Sequence, residues 1–186
     1  MGIPTLIKAQ TASDSASLDF VDGTADVTLD STYDEYMFVF TDINPATDTA
    51  SLTFQVNSTN DAGGDYDTSL ITSTYFHALH FEGAESTALV YVTAHDQAQG
   101  SAFNVLNYYG GNESDESCAG ILHLFSPAST TYVKHFYSRF AQNRADSHAN
   151  DQFVAGYIND TTAIDEIRFK MSSGNFDGVI QLYGIA

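Results

Sequence analysis

The stretch from Ile164 to Ala186, IDEIRFKMSSGNFDGVIQLYGIA, leaves the backbone few choices. In its first half Ile167, Phe169 and Met171 alternate with Glu166, Arg168 and Lys170, the period of two expected of a strand with one apolar and one wet face. Ser172, Ser173, Gly174 and Asn175 then supply a turn. The second half, Val179–Ile185, is apolar on both faces, a pattern that suits a strand enclosed by a sheet. A hairpin ending in a buried strand is the expectation.

Nine further segments precede this pattern. Strands are predicted at Leu6–Gln10, Ser17–Phe20, Tyr36–Asp42, Ser51–Asn57, Tyr75–Glu82, Leu89–Thr93, Gly120–Phe125, Tyr132–Phe140, Phe153–Ile158 and Asp165–Met171, with Val179–Ile185 as the last. Tyr36, Phe38 and Phe40 oppose Met37 and Val39, so that strand belongs in the centre of a sheet. Leu52, Phe54 and Val56 alternate with Thr53, Gln55 and Asn57, the pattern of a half-buried strand. His95–Leu106 is the best helical segment, but Gly100 interrupts it and one short turn is the most it should form. The 13 Phe and 11 Tyr favour a pleated surface, and strong helix formers are scarce. The predicted fold is all-β: one antiparallel β-sandwich domain over residues 1–186, jelly-roll-like.

With 24 acidic residues against 6 basic ones, the formal net charge is −18. Such a surface repels phosphate backbones and anionic membranes, so neither nucleic acid nor membrane is an expected partner. High ionic strength would screen the self-repulsion, which fits a marine setting. Cys118 is the only cysteine, excluding an intrachain disulfide, and its place before an apolar run predicts a buried thiol. No signal segment or membrane span is apparent, so synthesis in a host cytoplasm is expected.

Few clusters suggest chemistry. Asp61, Asp65 and Asp67 surround the Gly63–Gly64 turn and could converge on Ca²⁺, although their spacing departs from the EF-hand loop and a solvated turn is the competing reading. Glu113, Asp115 and Glu116 form a second acidic loop. His77 and His80 resemble a metal pair, but three residues apart on a strand they should face opposite ways. His95 beside Asp96 lacks the nucleophile and oxyanion-hole patterns of a hydrolase. Tyr132, Lys134, His135, Phe136, Tyr137 and Arg139 gather two of the six cations among aromatic rings, a candidate interface or glycan-binding face.

Several of these segments also carry a family resemblance. The opening LIKAQTASDSASLDFVDG, the central EYMFVFTDINPATDTASLTFQVN, the later TTYVKHFYSRF and FVAGYIND, and the closing hairpin with its SSG turn resemble β-sandwich virion proteins of tailed bacteriophages, particularly marine ones. The resemblance covers most of the chain and implies a non-enzymatic structural protein on the exterior of the virion, a capsid-decoration or tail-fibre subunit. It implies assembly with copies of itself, a trimer by analogy with fibres, and with other virion proteins. It carries over no catalytic residue and no cofactor beyond the possible Ca²⁺. The alternative is a carbohydrate- or receptor-binding module, with or without Ca²⁺ assistance, that takes a host-surface glycan. Self-association is expected through Leu6–Gln10, Val179–Ile185 or Tyr132–Phe140.

Overall fold

A computed structural model describes residues 2–59, 63–66 and 68–186. Thirteen strands and no helix are found among them. They are β1 (Thr5–Ser15), β2 (Leu18–Val21), β3 (Glu35–Pro45), β4 (Ala50–Ser58), β5 (Ile71–Phe81), β6 (Thr87–Tyr91), β7 (Gln97–Gly100), β8 (Asn104–Gly110), β9 (Cys118–Phe125), β10 (Lys134–Asn143), β11 (His148–Ile158), β12 (Ile164–Met171) and β13 (Phe176–Ile185). The large sheet runs β1-β13-β3-β9-β10-β11-β5-β6, with β7 also on β5, and the small sheet runs β2-β12-β4-β8. Every pairing is antiparallel.

Removing β5–β7 and β10–β11 leaves β1-β13-β3-β9 facing β2-β12-β4-β8, the two four-stranded sheets of a jelly roll. The first and last large-sheet strands pair, and the chain crosses between sheets at most steps, so two Greek keys are nested. The two insertions find each other: β11 pairs with β5 from His148↔Phe81 to Ile158↔Ile71. Together they extend the large sheet beyond β9 while the small sheet ends at β8.

The core follows from strand alternation. Phe38 of β3 meets Phe20 of β2 and Phe169 of β12, and Phe40 meets Phe169, edge to face with centroids 5.0–5.3 Å apart, while Phe54 of β4 meets Phe136 of β10 at 5.0 Å. As expected, β13 is enclosed, between β1 and β3, and β3 is enclosed between β13 and β9. The expectation for β4 needs correction: all nine residues are buried. Its polar face is covered by loops, where Gln55 Nε2 donates to the carbonyls of Ser69 at 3.1 Å and Ser101 at 2.9 Å. The segment read as a possible helical turn forms β7 and the beginning of β8, Asn104–Leu106.

The inner face of the extension combines the core residues Ile71, Val154 and Ile158 with a group of buried polar side chains next to β8. Tyr75 Oη donates to Gln152 Oε1, which also accepts from the Tyr108 amide at 2.6 Å. Gln152 Nε2 donates to Gln142 Oε1 at 3.2 Å, and Gln142 Nε2 donates to the carbonyls of Tyr108 and Tyr109, each at 2.9 Å. These two glutamines therefore clamp the β8 backbone to the large sheet.

Candidate functional site

Solvent-facing residues of the large sheet fall into rows fixed by register. One row runs Gln181, Val39, Ile121, Arg139, Phe153, Phe76, Tyr91 from β13 to β6. The next toward the turns runs Ala119, Ala141, Asp151, Ala78, Leu89. On the other side lie Tyr183, Met37, His123, Tyr137, Ala155 and Thr74. The alanines stand lower than the side chains around them, leaving an open trough of about 1170 Å³ whose lining includes Arg139, Asp151, His80, Thr87 and Leu89.

The rings on this face stand against one another. Phe76 and Phe153 stack with centroids 4.9 Å apart and planes 5° apart, and the Arg139 guanidinium lies 5.0 Å from the Phe153 centroid. Phe153 therefore has partners at Phe76 and Arg139. His123 stacks on Tyr137 at 4.5 Å and its Nδ1 meets Glu35 Oε1. Arg139 grips Asp151 through two bonds of 2.9 and 2.8 Å, so the one carboxylate in these three rows is paired. Both side chains remain substantially exposed, and the pair orients the guanidinium more than it stabilises the fold.

The six residues proposed as an interface divide by the pleat. His135, Tyr137 and Arg139 point outward, and Tyr132, preceding β10, is 74% exposed. Lys134 and Phe136 are buried and belong to the interior. Lys134 Nζ donates to the carbonyls of Asp160, at 3.0 Å, and Thr162. Burial holds its ammonium below the usual lysine range, with Asp160 acting against that shift. Self-association through β13 or β10 is also ruled out at their edges, since each already has neighbours on both sides.

Asp61 and Asp67 lie outside the described residues, and Asp65 is exposed. No group of three metal-ligating side chains occurs among the described residues. His77 is buried and His80 faces the outer surface, diverging as a strand requires. His95 packs 5.3 Å from Tyr75 and 4.2 Å from Tyr108, and Asp96 accepts from Tyr91 Oη at 2.7 Å. Burial holds His77 and His95 below the ordinary histidine range, helped at His77 by the charge of Arg144. Cys118 is buried, and its thiol is pushed up to about 12.

Sequence reasoning missed Phe153, Phe76, Asp151 and Leu89 as parts of one face. The signal was present in the strands that carry apolar residues on both sides, but placing them together requires the β11–β5 register. Neither the family models nor the curated proteins with which the chain was compared match it.

Proposed function

We propose that the chain is a non-enzymatic structural subunit of a tailed-phage particle, an external decoration or tail-fibre component that acts by assembling with copies of itself and with other virion proteins. The carrying observation is the outer face of the large sheet. Its three central rows hold aromatic and aliphatic side chains, and their only carboxylate is neutralised by Arg139, in a chain of net charge −18. Copies so acidic repel one another, and such a face is where that repulsion is least and apolar burial greatest. The cations support the same reading because five of the six are engaged within the fold. Arg139, Arg144 and Arg168 each pair with an aspartate, Lys134 binds carbonyls, and Lys170 lies 3.9 Å from the Phe103 centroid. That leaves little positive surface for a phosphate backbone.

A glycan-binding module is the second reading, favoured by the exposure of Tyr132 and Tyr137. Sugar stacking needs an open ring face, however, and the Phe76–Phe153 and His123–Tyr137 pairs spend ring faces on each other. Two experiments separate the readings. The protein should be present in purified particles, and electron microscopy of particles lacking it should show missing external density. Absence from particles together with selective binding on a glycan array would replace the first reading by the second.

A further inference from the structure

We propose that β6 is a homodimerisation strand: two copies pair their β6 strands antiparallel about a twofold axis at Leu89, fusing their large sheets into one. This deepens the assembly reading and rests on it for its purpose.

A sheet edge exposes unpaired backbone groups, and natural edges are blunted by bulges, charges, brevity or cover. Three of the strand edges here are treated in this way. β1 has register shifts between Leu6 and Lys8 and between Ala12 and Ser15, and carries Lys8 and Asp14. β2 has four residues, and Gln10 Nε2 caps its Asp19 carbonyl at 2.8 Å. β8 is clamped by Gln142 and Gln152. On the remaining edge, β7 is short, with Gln99 in a left-handed conformation at φ 56°.

β6 has none of these devices. Its sequence, TALVY, contains no charge and no proline, all five residues are exposed, and its pairing with β5 is regular from Phe76↔Tyr91 to His80↔Thr87. The Phe81 amide donates to the Ser86 carbonyl at 3.0 Å and the Val92 amide to the Tyr75 carbonyl at 3.0 Å. Antiparallel pairs alternate between bonded and non-bonded, so Ala88 and Val90 use their backbone groups on β5. Thr87, Leu89 and Tyr91 therefore turn their N–H and C=O groups toward the open edge.

The strand is self-complementary about Leu89. In that register Leu89 faces Leu89 of the second copy, Thr87 faces Tyr91 and Ala88 faces Val90, so at the two flanking positions a small side chain meets a larger one. Every outward backbone group is used, with two bonds at each of three residue pairs, about six in all. The seam itself brings no carboxylates together, so pairing there meets no like charge within the strand. Glu82 and Glu85 precede the strand and Asp96 follows it, so across the axis acidic turns approach one another and added salt should strengthen pairing. A five-residue seam is smaller than the roughly 1,200 Å² of a stable standard interface, so pairing should be concentration-dependent in solution and favoured at the density of a particle surface.

The direct test is disulfide capture of the Leu89→Cys protein, in which buried Cys118 leaves the new thiol as the accessible one. The proposed register places the two α-carbons at position 89 about 5.5 Å apart, within disulfide reach. Thr87→Cys, whose thiols would lie four residues apart along the seam, is the control. Leu89→Cys should form covalent dimers about tenfold faster or more than Thr87→Cys, and the double variant Thr87→Cys/Tyr91→Cys should also cross-link. Sedimentation of the unmodified protein at high salt should show a monomer–dimer equilibrium that Leu89→Lys abolishes without altering the circular dichroism spectrum. Equal capture rates, a monomer at all concentrations, or a closed trimer would overturn the proposal. Presence on the particle is measured separately, so failure here leaves the wider reading to stand or fall on that result.

Discussion

Phe169→Ala should be among the most damaging substitutions in the chain. Phe169 is fully buried on β12, between β2 and β4, and its ring lies 5.1 Å from Phe38 and 5.0 Å from Phe40 across the sandwich and 6.1 Å from Phe20 beside it. Strands bonded on both edges cannot move in to fill the space, so the loss should fall in the upper part of the range for buried Phe→Ala, about 4–5 kcal/mol. For a domain of this size that corresponds to a fall in Tm of roughly 8–20 °C. Phe76→Ala is the paired control: its ring stacks on Phe153 on the outer face and is 39% exposed, so a loss of about 1–2 kcal/mol is expected. Urea unfolding followed by far-ultraviolet circular dichroism and tyrosine fluorescence measures both, since the chain has no tryptophan. Equal losses for the two variants, at unchanged m-value, would refute the assignment of the two faces.

Two further outcomes follow from the titratable groups. His77 and His95 are held below the ordinary range by burial, so the unfolded chain takes up their protons first as pH falls through about 6.5, and their contribution to stability declines from there toward their folded pKa values. Thermal melts from pH 7.5 to 5.5 should show the unmodified protein losing stability relative to His77→Gln, and parallel curves would contradict this. Cys118, buried with its thiol raised to about 12, should resist a neutral thiol reagent in the native protein and react on unfolding; rapid native labelling would place it elsewhere.

The sheet class and the two closing strands were legible because β12 and β13 keep alternation or unbroken apolarity, but the hairpin expected of them does not form. After the turn at Ser172–Asn175 the chain changes sheet, β12 pairing with β2 and β4 in the small sheet and β13 with β1 and β3 in the large one. β4 misled because its polar residues are buried: Gln55 looks solvated in sequence but serves loop carbonyls inside. β8 was missed for a similar reason. Its sequence NVLNYYG buries Asn104 and Asn107 as well as Leu106, and Asn104 Oδ1 accepts from Ser73 Oγ at 2.7 Å. A buried amide carries no hydrophobic signal, so its position depends on partners far away in sequence. The outer face was half legible: the aromatic content of β10 was visible, but Lys134 and Phe136 were grouped with residues on the opposite side of the pleat.

The extension of the large sheet has a physical consequence for where function can lie. A sandwich gains stability where two sheets bury each other, yet the large sheet continues through β5 to β6 after β11, which β8 still contacts through the Tyr108 amide and Gln152. Ile71 of β5 and Val154 and Ile158 of β11 join the core at one end of the extension's inner face, and the Tyr75, Gln142 and Gln152 network, whose net contribution per bond is modest, occupies the part toward the other end. Apolar burial in the core therefore does not account for the outermost strand, which is exposed at every residue. Edges are costly to leave open, because they invite pairing with any compatible strand. A regular, uncharged strand kept at the end of an otherwise guarded sheet is best explained by a partner that uses it, and the symmetry of TALVY about Leu89 makes a second copy the partner that fits.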